Sequence, residues 1–191
     1  KLKGTEIAFI PDNSIFEIIS FNPSKLYQFI KMKAVLVQST SVIFNIDKEL
    51  IKDSTPSKEI FFYKKGIEEF IEEKSKNKIK LIDKYFSIKY KINQNESFET
   101  VITFNDNEKS FFRSYCNTIE TPDGGSHENG IKNGIIKAIK LYGRKNQFGK
   151  INNINSNDVI DYSDILISIF INEPSFEGQT KKRVVMPKLQ K

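Results

Sequence analysis

The stretch TPDGGSHENGIKNGIIKAIKLY, residues 121–142, decides how this chain is read. Pro122 and Asp123 favour a chain reversal, and Gly124 and Gly125 accept backbone dihedrals closed to residues that carry a Cβ. Ser126 stands where a helix N-cap is expected, its hydroxyl able to satisfy an orphan amide of the first turn. Ile131, Ile135, Ala138, Ile139 and Tyr142 then recur on one side of a helical wheel, with Lys137, Lys140 and Arg144 opposite. The spacing predicts a helix over residues 127–142 with one core face and one basic face, and no acid lies between Glu128 and Asp158. The simplest reading of that basic face is solvated surface. His127, the one histidine of the sequence, is read as a structural residue of the first helical turn, because it has no companions for a metal site.

Toward the C-terminus an asparagine-rich linker, residues 152–157, reads as a mobile surface loop. A short helical turn then leads into the buried strand ILISIFI, residues 165–171. The loop FEGQTK, residues 176–181, leaves that strand. Its Gly178 permits an unusual turn, Gln179 offers amide donors, and Lys181 puts a point charge on a flexible stem, a set suited to reaching a phosphate.

Toward the N-terminus, residues 111–119 form a strand candidate in which Cys116 reads as a buried, inert thiol. Residues 85–92 and 98–104 are extended runs joined by a turn at 93–96, and with 111–119 they suggest an antiparallel meander. Residues 66–74 carry Ile67, Phe70 and Ile71 on one stripe, with glutamates left for solvent. Runs 41–46 and 59–63 look like a paired ribbon. From Pro23, Leu26, Phe29, Ile30 and Ala34 recur at helical spacing, with Ser24 as cap and Lys25, Lys31 and Lys33 facing water. Residues 5–10 read as a strand ended by Pro11 and Asp12.

Composition bounds the function. The 191 residues suit one core, and 38% hydrophobic with 12% aromatic content excludes a disordered chain. One Cys and one His exclude a disulfide framework and a Cys/His zinc cluster, and point to a reducing compartment. The seven apolar residues 165–171 fall well short of the ~20 needed to cross a bilayer, so the chain is expected to be soluble and cytoplasmic. The first residue is Lys, and a piece of a longer protein is expected. Of the net +6, residues 1–180 carry +1 and residues 181–191 carry +5. The excess of Lys over Arg, beside abundant Ile and Asn, fits AT-rich coding and weakens any argument from total charge to nucleic acid.

Taken together, Gly124-Gly125-Ser126-His127 opening a long helix and Gln179-Thr180-Lys181 some fifty residues later resemble the transducer domain in the ATPase subunit of bacterial type IIA DNA topoisomerases. Gly4-Thr5, Phe9 and Pro11-Asp12 resemble the closing strand of the preceding ATPase domain, and Lys33-Ala34-Val35-Leu36 the connecting helix. Residues 114–119 (SYCNTI) and 61–66 lie closer to the topoisomerase IV branch than to the gyrase branch. Ser126 stands for the usual Thr and Ile131 for a common Phe, and residues 74–109 carry no matching motif.

The resemblance implies an α+β fold of ribosomal protein S5 domain 2-like type, a mixed sheet with helices on one face. It implies that residues 1–22 end a GHKL ATPase domain, that 23–180 form the transducer, and that 181–191 are a basic segment leading to the next domain. Lys181 and Gln179 are expected to contact the γ-phosphate of ATP bound with Mg2+ in the neighbouring domain. Lys137, Lys140 and Arg144 are expected to face DNA, and Gly124, Gly125, Ser126 and His127 to form the structural turn and helix cap. No catalytic residue is expected here, nor ATP binding by this stretch alone. Implied partners are a DNA duplex, the adjoining domains, the A subunit of topoisomerase IV and a second B subunit. A gyrase B subunit is the near alternative. A stand-alone nucleic-acid-binding module of S5-like fold is the other, although such a module has no reason to carry the Gln-Thr-Lys loop.

Overall fold

The computed structural model describes residues 3–106 and 110–190. The expected termini at residues 1–2 and 191 and the unmatched residues 107–109 lie outside the described residues. Helix α1 (Pro23–Leu36) starts where Pro23 supplies a preset φ at the first helical position. Its cap is Asn22 rather than the expected Ser24, with the Asn22 Oδ1 accepting from the Lys25 amide at 2.9 Å. Met32, Ala34, Val35 and Leu36 are buried while Phe29 is exposed. Two of the lysines expected in solvent are engaged. Lys31 pairs with Glu73 at 2.9 Å, and Lys33 donates to the Thr118 carbonyl and hydroxyl.

Strands β1 (Val42–Asn45) and β2 (Lys58–Phe61) form the expected antiparallel ribbon. Phe44 and Phe61 close over Ala34, and Tyr27 meets both rings edge-on at 5.4 and 5.2 Å. Helix α2 (Ile67–Ser75) buries Ile67, Phe70 and Ile71 as its spacing predicts.

The main sheet has five strands: β3 (Phe86–Lys91), β4 (Ser97–Phe104), β5 (Phe112–Cys116), β6 (Ile119–Glu120) and β7 (Ser163–Phe170), in spatial order β3-β4-β7-β5-β6. The expected hairpin β3–β4 is present, but the meander is not. β7 inserts between β4 and β5, antiparallel to the first and parallel to the second. The reason is its sequence: ILISIFI is apolar on both faces, and the central position buries both. Leu166 points to one face with Val101 and Tyr115, and Ile165, Ile167 and Ile169 to the other with Ile102 and Cys116.

These two faces correct the expected placement of the helices. The α+β class and the mixed sheet are observed, but α1 and α2 cover the Leu166 face while helix α3 (Ser126–Lys145) lies over the Ile165 face through Ile131 and Ile135. A strand apolar on both sides requires a cover on each. The helical turn before β7 is α4 (Asn157–Ile160). The asparagine-rich stretch before it is a bonded turn: the Asn155 Oδ1 accepts from the Asn157 and Asp158 amides, and the Asp158 carboxylate accepts from the Asn155 amide.

Residues 5–10 do not form the expected strand. A strand requires a partner, and among the described residues none pairs with this backbone. Ile7, Phe9, Ile10, Ile15, Phe16 and Ile18 consequently stand in solvent.

Candidate functional site

The structure brings the two sequence patterns, the Gly-Gly turn and the Gln-Thr-Lys loop, into one assembly. Beyond β7 the chain turns back on itself. The Glu177 amide donates to the Arg183 carbonyl at 2.9 Å, the Val185 amide to the Ser175 carbonyl at 2.9 Å, and Phe176 bridges Val184 in antiparallel fashion. Residues 178–182 form the tip of this small ribbon, with Gly178 at φ 74° and Lys181 at φ 56°. Gln179, Thr180 and Lys181 are exposed there. The Lys181 Nζ lies 5.8 Å from the centre of the Phe176 ring.

The returning arm is clamped by the turn that opens α3. The Asp123 amide donates to the Lys182 carbonyl at 3.1 Å, the Val184 amide to the Gly124 carbonyl at 3.1 Å, and the Ser126 amide to the Val184 carbonyl at 2.9 Å. Gly125 adopts φ 139° and ψ −161°, a region open in practice only to glycine, and a Cβ there would collide with the Val184 carbonyl oxygen. At Gly124, φ is 68° and a Cβ would meet the Glu128 carboxylate. Close approach of backbone demands glycine at Gly125, and the left-handed φ favours it at Gly124. Ser126 is not the expected cap: Gly125 occupies that position, and the Ser126 hydroxyl instead accepts from the Met186 amide at 2.9 Å. The hydroxyl serves the neighbouring segment, which had no local signal in the sequence.

Beneath the turn lies a buried polar chain that sequence reasoning missed. The Ser114 hydroxyl donates to the Glu128 Oε1 at 2.6 Å and lies 2.6 Å from the Thr121 hydroxyl, which in turn lies 3.2 Å from the His127 Nε2. Ser114, Thr121 and His127 are buried. Burial pushes the His127 pKa down to about 4, so the ring is neutral at neutral pH. His127 lies buried in the first turn of α3, where the sequence reading put it. Cys116 is fully buried and burial raises its thiol to about 11, in keeping with an inert residue. The signal for this chain was the acid at the third position of α3, but its partners come from β5 and the end of β6, out of reach of local spacing.

The basic stripe is at a distance from this assembly. Lys137 and Arg144 are exposed and Lys140 half-buried, with the Arg144 Nε donating to the Asn152 Oδ1 at 2.9 Å. The opposite side of α3 is apolar as expected only near its start. Ala138 is exposed and Tyr142 is 64% exposed, because the last turns of the helix extend past the core. Among the described residues no group of three or more His, Cys, Asp or Glu side chains converges to hold a metal. No described helix is long and apolar enough to cross a membrane.

Sequence comparison assigns a class to this arrangement: the DNA gyrase B family model matches residues 66–191, and the chain belongs to that family. Within it, the DNA topoisomerase 4 B subunit of Rickettsia felis is 35% identical over 97% of this chain, and the DNA gyrase B subunit of Helicobacter pylori is 31% identical over 96%. The chain spans 28% and 23% of those two relatives. Among solved structures, the topoisomerase IV ATP-binding domain of Francisella tularensis aligns with a TM-score of 0.74 at 28% identity, covering 94% of this chain and 47% of that one. The gyrase B protein of Myxococcus xanthus shares the fold, with a TM-score of 0.78 at 16% identity over 99% of this chain and 54% of that one.

Proposed function

We propose that this chain is the transducer portion, residues 23–180, of an ATP-driven type II DNA topoisomerase, on the topoisomerase IV side of its family. On this reading residues 1–22 belong to the end of the ATPase domain and 181–191 lead to the next domain. The observation that carries it is the exposed Gln179-Thr180-Lys181 tip, presented on a ribbon that is bonded to the Gly124-Gly125 turn. A flexible cation and an amide donor at the end of a fixed support suit contact with the terminal phosphate of ATP in a neighbouring domain. The likeness to topoisomerase 4 B subunits over nearly the whole chain supports the choice of branch, with the gyrase B subunit as the nearest alternative.

The coupling follows from what Lys181 and Gln179 hold. Their hold on the γ-phosphate exists with ATP and ends after hydrolysis and phosphate release, so it stabilises the closed arrangement of the domains relative to the open one. That difference in free energy is what passes from nucleotide to DNA gate. When bound, ATP supplies the anionic phosphate. Its Mg2+ is assigned, with the nucleotide, to residues of the preceding domain. Catalytic groups are likewise assigned outside this stretch, and the isolated chain is expected to be inactive. The partners are a DNA duplex, the topoisomerase IV A subunit and a second B subunit, in the cytoplasm. Lys137, Lys140 and Arg144 form a wall that holds phosphates without reading sequence.

The test is Lys181→Ala in the full-length protein. ATP hydrolysis and DNA relaxation are expected to fall severely, while the melting temperature changes little, because an exposed loop side chain contributes within ~0.5 kcal/mol. Normal turnover with a lowered melting temperature refutes the assignment.

A further inference from the structure

We infer that Glu128 is a positioning residue for the Gln-Thr-Lys tip, acting through the Gly124-Gly125 turn by a buried chain of hydrogen bonds from His127 through Thr121 and Ser114. The inference rests on the role assigned to Lys181 above. Ser114 has one hydroxyl hydrogen, and the Glu128 carboxylate, 2.6 Å away, can only accept. The Thr121 hydroxyl hydrogen is taken by Ser114, whose carbonyl and hydroxyl oxygens lie 3.0 and 2.6 Å away. The remaining contact, His127 Nε2 to Thr121 Oγ1 at 3.2 Å, is then a donation from a neutral ring protonated at Nε2. On this assignment the Ser114 hydroxyl donates to Glu128 and the His127 ring to Thr121.

Geometry connects this chain to the tip. The Glu128 carboxylate packs close to Gly124, with its Oε2 atom 2.6 Å from where a Cβ would stand. Gly124 accepts from the Val184 amide, and Ser126 holds both the Val184 carbonyl, through its amide, and the Met186 amide, through its hydroxyl. Residues 182–186 are thus bonded to a turn that the Glu128 carboxylate packs against, and whose Gly124 amide donates to the Thr121 carbonyl at 2.8 Å. The site of proposed phosphate contact starts one residue earlier, at Lys181. Lys132 approaches the same carboxylate at 3.6 Å from the solvent side, which leaves the Oε1 atom to Ser114. Nothing in the chain reaches the tip directly, so Glu128 acts only by where it holds the backbone.

The experiment uses Glu128→Ala and Glu128→Gln in the full-length protein, each alone and with Lys181→Ala, read by steady-state ATP hydrolysis and by amide hydrogen exchange. Glu128→Ala is expected to lower kcat roughly ten- to a hundredfold, the scale of a small misplacement of a contacting group. The loss in the double variant with Lys181→Ala is expected to match that of Lys181→Ala alone. Glu128→Gln, which keeps an acceptor for Ser114, is expected to restore most of the rate. Exchange at Ser126, Val184 and Met186 is expected to speed up by at least about tenfold in Glu128→Ala, with the β4–β7 ladder unchanged. Additive losses, or unchanged exchange at those three amides, overturn the inference. If Lys181→Ala leaves turnover normal, the functional reading fails, and the exchange result decides alone whether Glu128 fixes residues 182–186.

Discussion

Replacing Gly125 by Ala is expected to destabilise the chain by about 1–3 kcal/mol, the cost of forcing a residue with a Cβ into a backbone region used almost only by glycine. The structure fixes the route. At φ 139° the new Cβ would lie against the Val184 carbonyl oxygen, nitrogen and carbon, which are backbone atoms and have no rotamer to escape into. Relief requires moving residues 182–186 away, which breaks the Val184 amide bond to Gly124 and the Ser126 amide bond to Val184. Each such bond contributes ~0.5–1.5 kcal/mol net, so displacement costs about as much as the strain it removes. Two controls separate strain from collision. Gly178 has φ 74° with open space around a Cβ, so Gly178→Ala should cost only the dihedral penalty of ~1–2 kcal/mol. Gly134 lies inside α3 with nothing within 4 Å, so Gly134→Ala should stabilise by ~0.5–1 kcal/mol. Urea denaturation of the 191-residue chain ranks the three. A Gly125→Ala variant as stable as the parent would refute the close-approach argument, and with it the clamp on the tip.

Three further outcomes follow from particular contacts. Asp164 is fully buried, accepts from the Lys78 ammonium at 2.6 and 2.8 Å and from the Phe111 amide at 2.8 Å, so Asp164→Ala, which leaves these donors without it, should cost about 3–5 kcal/mol in urea denaturation; a cost below about 1 kcal/mol contradicts it. His127 is neutral in the fold with a pKa near 4 against about 6.5 unfolded, so the unfolded chain binds more protons between those values and stability should fall by up to about 3 kcal/mol as pH drops from 6.5 toward 4. His127→Gln should flatten that slope, and an equally steep variant assigns the effect elsewhere. Replacing Lys137, Lys140 and Arg144 together by Gln should leave DNA-free ATP hydrolysis intact and reduce the slope of log DNA affinity against log salt by about 0.9 for each phosphate no longer neutralised; an unchanged slope returns the stripe to plain solvated surface.

The elements with strong local periodicity were legible in the sequence: α2 from Ile67, Phe70 and Ile71, the β1–β2 ribbon, the β3–β4 hairpin and α3 from its glycine turn. Strand order was not. The apolar run of β7 announced burial on both faces, but parallel pairing with β5 depends on residues some fifty positions apart and leaves no mark on either strand. The same non-locality hid the layers, since a strand apolar on both sides does not say which helix covers which. At the N-terminus local pattern misled, because residues 5–10 have strand composition and, among the described residues, no partner strand. In the site, Gly124, Gly125 and Gly178 were readable because each needs an unusual local backbone, while Gln179 and Lys181 were singled out by their polar chemistry alone. Ser126 shows the limit of that reading: a residue type suited to capping was present, and a neighbouring amide from Met186 took its hydroxyl. Lys33, read as solvent-facing, is held by the β5–β6 turn at Thr118, a hydrogen bond across 85 residues.

The most direct test of the central claim is amide hydrogen exchange over residues 178–182 in the full-length protein, with a non-hydrolysable ATP analogue and with ADP at matched saturation. A tip that contacts the γ-phosphate is expected to exchange at least about tenfold more slowly with the triphosphate than with ADP, and Lys181→Ala is expected to abolish most of the difference. Equal exchange in the two nucleotide states contradicts the account.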